Sequence, residues 1–122
     1  MQHKAISIRP FIGAKDFGVT SDFYKAIGFA SKELFPDLTL FTFGVVSFYL
    51  QRAYIKDWVD NTQVFMEIED LPSFWNTLKS LNLPEKFPGV RVEPIRHNTW
   101  GDECFVHDPS GILWHFGEFK NA

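Results

Sequence analysis

The sequence predicts an α+β fold in which two βαβββ modules form a curved mixed sheet around a cup-shaped cavity. Two observations carry this prediction. The order of one strand, one helix and three strands occurs twice, and each helix follows an aspartate that can cap it. A length of 122 residues indicates a single domain. Within residues 1–122 we expect module one at about 5–51, a connector at 52–61 and module two at about 62–119.

The first module is predicted from alternation, helical spacing and turn residues. Residues 5–12 alternate as a strand does, and Pro10 within them marks an edge or a bend because proline cannot donate to a ladder. Asp16 caps the helix that follows, and Gly28 ends that helix in a left-handed conformation. Three further strands are expected at 29–35, 38–43 and 45–51.

The second module repeats this order. Residues 62–69 alternate, with Gln63, Phe65 and Glu67 on one face and apolar side chains on the other. Asp70 caps the most clearly amphipathic helix of the chain. A loop at 82–89 and a strand at 90–98 are expected before the final pair of strands.

A β-hairpin closes the chain. Residues 108–111 read Asp-Pro-Ser-Gly, which is typical of a type I turn. The strand period places Trp114 and Phe116 on an apolar face that we expect in the core. His115 falls on the opposite face, which can line a cavity.

Composition limits the classes of function. The formal net charge is −3 and there is no run of Lys or Arg, which argues against a nucleic-acid partner and against binding to an anionic membrane. No apolar run approaches the roughly 20 residues of a membrane span, and residues 1–4 lack a signal-peptide pattern. We therefore expect a cytoplasmic protein. The single cysteine, Cys104, lies in an apolar strand and is expected to be a buried, inert thiol.

Aromatic residues are unusually frequent, at 17% of the chain, with 14 Phe and 4 Trp. A core of this size does not need so many large rings. Some of them are expected to line a ligand cavity or a subunit interface. The alternative is that they fill a core rich in phenylalanine.

These motifs carry a family resemblance over roughly residues 5–119. Residues 22–29, Asp-Phe-Tyr-Lys-Ala-Ile-Gly-Phe, resemble the first-helix signature of the vicinal oxygen chelate superfamily. Residues 105–111 with 114–116 are similar to its last-hairpin signature, and the added Trp100-Gly101 resembles the bleomycin-resistance branch. The resemblance implies homodimers, often with an exchanged first strand, for which Pro10 could be the hinge.

The resemblance also indicates where metal-dependent members of the superfamily hold a metal. Those positions here contain Arg9, Phe48 or Tyr49, Gln63 and His115. Divalent metals prefer imidazole nitrogen or carboxylate oxygen, and only His115 is a good donor. We therefore expect no metal and no other cofactor.

The bleomycin-resistance branch binds a ligand without chemistry, stacking planar rings on aromatic residues in a cleft at the dimer interface. Trp100 occupies the matching loop position. The residues predicted to bind a ligand are Arg9, Tyr49, Gln63, Phe65, Glu67, Trp100 and His115.

Three of these positions leave alternatives open. Arg9 can clamp a carboxylate or phosphate, or form a salt bridge with Glu67. His115 can line the cavity or be a hydrogen-bonded core histidine. Trp100 can stand exposed or pack against the partner subunit.

Three hypotheses for function follow. The first is a metal-free, dimeric small-molecule binding protein of the antibiotic-resistance type that sequesters a planar or aromatic ligand. The second is a glyoxalase- or dioxygenase-class enzyme, a lyase or dioxygenase, that uses a metal on His115 with a partner such as Glu67. The third is a structural or regulatory dimer whose cavity is filled by its own side chains. The catalytic residues of any enzyme are not identified by the sequence.

Overall fold

The computed structural model describes residues 2–120, so residues 1, 121 and 122 of the predicted domain lie outside it. Its first module consists of β1 (Phe11–Gly13), α1 (Phe17–Ile27), β2 (Ala30–Phe35), β3 (Leu38–Phe43) and β4 (Val46–Gln51). The connector contains α2 (Lys56–Asp60). The second module consists of β5 (Gln63–Glu67), α3 (Leu71–Ser80), α4 (Leu83–Lys86), β6 (Arg91–His97), β7 (Gly101–His107) and β8 (Leu113–Phe119).

The predicted α+β fold class is confirmed, and each module builds its own four-stranded mixed sheet. The strand orders are β1-β4-β3-β2 and β5-β8-β7-β6, so the two modules share one topology. In both sheets the first and last strands of the module pair in parallel, and the remaining pairs are antiparallel. The sheets are curved and not closed. No helix among residues 2–120 combines the length and apolar character that crossing a bilayer requires.

Both long helices begin at the aspartates that the sequence indicated. The Asp16 carboxylate accepts from the Val19 N–H at 3.0 Å, and the Asp70 carboxylate accepts from the Ser73 N–H at 3.3 Å. These bonds satisfy N–H groups that have no partner within the helix. Gly28 ends α1 with a φ of 123°, a conformation that favours glycine.

One core lies between the two sheets and the helices. The Tyr24 ring on α1 is 4.9 Å from the Phe48 ring of the first sheet and 5.7 Å from the Trp114 ring of the second. Trp114 and Phe116 are buried, as predicted, and so is Cys104. Tyr24 therefore joins the two modules through aromatic contacts to both sheets.

A buried polar network fastens the last hairpin to α1. The Tyr24 hydroxyl donates to Asp108 Oδ2 at 2.6 Å and accepts from the Trp114 indole N–H at 2.9 Å. Asp108 Oδ1 accepts from three backbone N–H groups of the turn, those of Ser110, Gly111 and Ile112. Burial raises the pKa of both Tyr24 and Asp108.

Two sequence-based predictions are wrong. Residues 5–10 are not a strand, because β1 begins only at Phe11. Pro10 has no N–H to donate, and residues 5–9 find no strand partner within the described chain, which leaves Ile8 93% exposed. The expected loop at 82–89 contains the short helix α4, which begins with Pro84 in its first turn.

Candidate functional site

Strand β8 separates the core from an open side of the second sheet. Trp114 and Phe116 point into the core, whereas His115 points to the opposite side. The register pairs His115 with Phe65 of β5 and with Phe105 of β7, so a row of three rings crosses that side. We call this side of the sheet, which carries Phe65, Phe105 and His115, the open face.

Hydrogen bonds hold the His115 ring at both nitrogens. Nδ1 lies 2.9 Å from Glu103 Oε1, and Nε2 lies 2.8 Å from Gln63 Oε1. The other carboxylate oxygen of Glu103 accepts from the Asn98 side-chain amide at 2.8 Å. Only 13% of the Glu103 side chain is exposed, whereas Gln63 is an exposed residue. The imidazole therefore bridges a mostly buried carboxylate and an amide that solvent can reach.

Three exposed aromatic rings lie beside His115, and we call Phe65, Trp100 and Phe119 the aromatic platform. Their ring centroids are 5.3–5.9 Å apart, so the rings pack against one another. Gly117 makes room for this packing, because a Cβ atom at that position would lie 2.6 Å from Phe65 Cζ. Each ring remains more than one third exposed, which leaves an aromatic surface available for stacking.

A cavity of about 240 Å³ adjoins the platform where the two sheets meet. Ser47 and Phe48 of β4 line one side of it, and Phe65 and Glu67 of β5 line the other. Its lining is mostly apolar. It lies just below the roughly 300–1,000 Å³ that ligand pockets commonly span, and two wider clefts of about 610 and 660 Å³ share Glu67 with it.

Arg9 and Tyr49 form a separate pair on the first sheet. The Arg9 guanidinium donates to the Tyr49 hydroxyl at 3.0 Å and lies 5.8 Å from the centre of the Tyr49 ring. Within residues 2–120, Arg9 makes no salt bridge with Glu67. Of the two candidates at the next position, Phe48 is buried in the core, and Tyr49 is the residue on the accessible side.

The seven predicted residues therefore fall into two groups. Gln63, Phe65, Glu67, Trp100 and His115 lie on β5, β8 and the loop before β7, all in the second module. Arg9 and Tyr49 lie in the first module. Within one chain, the five residues of the second module lie together, and the pair in the first module lies apart from them.

Sequence reasoning missed the carboxylate that pairs with His115. It considered Glu67 as a partner of His115, whereas the observed partner is Glu103. In the hairpin register Glu103 lies opposite Gly117, which has no side chain, so the carboxylate reaches diagonally to His115. Counting pairs outward from the turn places residues 103, 105 and 115 on one face, and that count could have found Glu103. Asn98 and Phe119 were missed as well.

Two other titratable groups lie in or near this sheet. Burial lowers the pKa of His107, and the Arg91 guanidinium adds to the effect. Burial also raises the pKa of Cys104 to about 11, so its thiol is protonated and unreactive at neutral pH.

The residues at the superfamily's metal positions do not fit a divalent metal. Among residues 2–120 no three His, Cys, Asp or Glu side chains are grouped so that they could hold an ion. Arg9 brings a permanent positive charge, and Tyr49 and Gln63 are weak donors. Only His115 is a good ligand, and its Nε2 faces Gln63 at 2.8 Å.

Known proteins match this chain in structure but not in sequence. No protein-family model and no curated protein matches the sequence. A bleomycin-binding protein complexed with bleomycin matches the structure with a TM-score of 0.79 at 19% identity, covering 93% of this chain and 98% of that chain. This chain has the same fold as that protein. The resemblance inferred from the sequence motifs is thereby confirmed at the level of the fold.

Two further solved structures show how widely the fold is shared. Bleomycin-binding protein from bleomycin-producing Streptomyces verticillus, complexed with copper(II)-bleomycin, has a TM-score of 0.79 at 20% identity, covering 98% of this chain and 100% of that one. Lactoylglutathione lyase from Agrobacterium tumefaciens has a TM-score of 0.71 at 17% identity, covering 95% and 96%. The fold therefore includes both binding proteins and an enzyme, and function must be argued from the site.

Proposed function

We propose that this protein is a metal-free small-molecule binding protein of the bleomycin-resistance type. It sequesters a planar or aromatic ligand in a cup at the interface of a homodimer. The observation that carries the proposal is the aromatic platform, which lies exposed beside a fixed imidazole on the open face. Exposed, contiguous aromatic surface on a small protein is typical of a binding site.

The contacts around the platform favour binding over catalysis. Within residues 2–120 Cys104 is buried on the other side of the sheet and so provides no nucleophile beside the three rings. Of the side chains at the superfamily's metal positions, only His115 is a good metal ligand, and this favours a site without metal. A ligand ring stacked on Phe65 or Trp100 would contact apolar surface on one side and the His115–Gln63 pair at its edge.

A dimer is supported by the incompleteness of the single chain. The arm, which we define as residues 2–10, forms no secondary structure and leaves Ile6 and Ile8 almost fully exposed. The outer edge of β5 pairs with no strand among residues 2–120. Exchange of the arm between two chains would bury these isoleucines and pair free backbone groups.

The same dimer would complete the cup. Tyr49 lies on the first sheet, Arg9 lies in the arm, and His115 lies on the open face of the second sheet. The exchanged arm would carry Arg9 to the edge of β5 in the partner subunit, and placing the first sheet of one chain against the open face of its partner would bring Tyr49 to the same ligand. It would also extend the cavity of about 240 Å³ that adjoins the aromatic platform.

Quenching of tryptophan fluorescence by a panel of planar aromatic compounds tests the binding claim. We expect saturable quenching that falls sharply in Trp100→Phe and persists in Trp58→Phe, since Trp58 is exposed on α2 and is not one of the platform rings. Quenching of equal strength in both variants, or none in the wild type, would contradict the proposal.

Metal analysis separates the binding protein from the enzyme hypothesis. We expect the purified protein to contain little metal and to show no rise in melting temperature with Zn, Ni, Mn or Fe(II), because a specific ligand stabilises the native state by mass action. Near-stoichiometric metal that is lost in His115→Ala would favour a lyase or dioxygenase instead.

Sedimentation velocity tests the exchanged arm. Ile8→Asp places a charge where we propose burial, so we expect the dimer to dissociate. Ile55→Asp, at an exposed isoleucine of the connector, is the matched control and should leave the dimer intact. A wild-type monomer, or equal behaviour of the two variants, would exclude the arm as the dimer contact.

A further inference from the structure

The Glu103–His115 pair carries an inference about the class of ligand, and it rests on the proposed function. We propose that the ligand is an aromatic compound bearing an O–H or N–H donor at its ring edge, and that His115 Nε2 accepts this donor in place of Gln63. Phenols and other hydroxylated or amino-substituted aromatics belong to this class.

The first step concerns which nitrogen of His115 carries the proton. A carboxylate only accepts hydrogen bonds, so Glu103 at 2.9 Å draws the ring proton to Nδ1. Glu103 is itself held, because Asn98 donates to its second oxygen at 2.8 Å. The ring with one proton then has a lone pair at Nε2, and this atom is an acceptor.

The second step concerns what now occupies Nε2. The Gln63 amide lies 2.8 Å away, and a half-turn of that amide presents its N–H₂ group as the donor. Gln63 is exposed on the edge strand β5, so a ligand can displace it at little cost. The structure places the acceptor Oε1 of Gln63 at this position, and the half-turn that brings its N–H₂ group there would give the geometry that a donor from the ligand adopts.

The third step concerns the rings on either side. His115 lies between Phe105, with centroids 5.0 Å apart, and Phe65, with centroids 6.5 Å apart. Phe65 belongs to the platform, so a ring stacked there has its edge near Nε2. The pairing of an aromatic surface with a single acceptor selects a planar molecule with one donor at its edge.

Several other charged and titratable groups share this side of the sheet with His115. They are Glu67 on β5, Glu103 and His107 on β7, and Arg91, Glu93 and Arg96 on β6, with Asp60 of α2 at the margin. Arg96 lies over the Phe105 ring at 5.4 Å, and Arg91 lies beside His107. Arg91 lines the same pocket as Gln63, but the two ring nitrogens of His115 face Glu103 and Gln63 and neither cation.

Three naphthalene probes test this inference by isothermal titration calorimetry. They are 2-naphthol, 2-methoxynaphthalene and 2-naphthoate, which offer a donor, no donor and a carboxylate on the same ring system. We expect 2-naphthol to bind about tenfold more tightly than the methoxy compound, because the latter leaves the acceptor unpaired. We also expect this preference to vanish in His115→Phe.

Two further variants make the test specific. Glu103→Gln should weaken the preference, because an amide no longer fixes the proton on Nδ1. His97→Phe is the matched control, since His97 also pairs its Nδ1 with a carboxylate, that of Asp102 at 2.8 Å, but its side chain is 77% exposed and is not one of the proposed ligand contacts. That variant should keep the full preference for 2-naphthol.

The outcomes separate the two proposals. Equal binding of all three probes, or tightest binding of 2-naphthoate, would overturn the donor class while leaving an aromatic-binding protein. Retention of the preference in His115→Phe would also overturn it. If no probe binds and the wider aromatic panel fails too, the proposed function itself falls.

Discussion

The two modules share a topology and differ in the chemistry of their accessible sides. Each sheet has the same strand order and the same parallel pair. In the first sheet the accessible side carries Thr42 and Ser47, which hydrogen-bond each other at 3.1 Å, and the Tyr49 ring, which contacts Phe11 and Arg9. In the second it carries the aromatic platform and the His115–Glu103 pair. The apolar side of the strands specifies the fold, and the accessible side of one sheet is free to carry a site.

The largest loss of stability is expected from a substitution in the buried hydrogen-bond network on the core side. Asp108→Ala removes the acceptor of the Tyr24 hydroxyl and of three backbone N–H groups. We expect the free energy of unfolding to fall by about 3 kcal/mol or more, because these buried donors lose their partner. Urea unfolding measures this fall in free energy, and Asp37→Ala at the exposed turn before β3 is the control. Similar losses in both variants would contradict the role of the network.

The platform should matter for binding more than for stability. Trp100→Ala is expected to weaken an aromatic ligand by at least about tenfold, the range of an aromatic anchor in a binding site. The free energy of unfolding should change by no more than about 1 kcal/mol, because the ring is partly exposed. Trp58→Ala should change neither quantity appreciably. Calorimetric titration and urea unfolding of the same samples provide both numbers.

Gly117 affects both the packing of the sheet and the aromatic platform, so its replacement should change stability and binding together. In Gly117→Ala the new methyl group meets the Phe65 ring, so the ring must move. We expect a loss of about 1–3 kcal/mol in unfolding free energy, as for other overpacked sites, together with weaker binding. Gly18→Ala, within α1, should instead stabilise by about 0.5–1 kcal/mol through helix propensity. A neutral Gly117→Ala would show that the platform is not fixed by this contact.

Replacing His107 should produce the smallest change in stability, and the pKa shift of this residue fixes how that change depends on pH. Its folded pKa lies below the ordinary value of 6.5, so the unfolded chain binds a proton more readily than the folded chain does. The contribution of His107 to the free energy of unfolding is fully present above its ordinary pKa and is lost as the pH falls through its folded pKa. We expect His107→Gln to flatten the pH dependence of urea unfolding in this window. An unchanged slope would show that His107 does not contribute.

The elements were predictable because their signals are local. Asp16 and Asp70 cap helices through contacts three residues away, and Gly28 ends α1 through its own backbone. The inward position of Trp114 follows from the two-residue period of a strand. Such features need no knowledge of distant residues.

The site was predictable only in part, because it depends on register and on distant contacts. Strand period alone placed His115 and Phe65 on accessible sides. The choice of Glu103 over Glu67 depended on Gly117 standing opposite Glu103, which requires the pairing of two strands. The Asp108–Tyr24 bond joins residues 84 positions apart, and no local pattern indicates it. The arm at 2–10 alternates as a strand does, yet a strand also needs a neighbour to pair with.

The most direct test of the central claim is the NMR spectrum of the four tryptophan indole N–H groups during titration with 2-naphthol. Trp100 lies on the platform, Trp58 and Trp75 lie on helices, and Trp114 is in the core. We predict that the Trp100 signal shifts and saturates, while those of Trp58 and Trp75 remain in place. Saturable shifts at Trp58 or Trp75 without one at Trp100, or no shift at any indole, would contradict an aromatic-binding site on the open face.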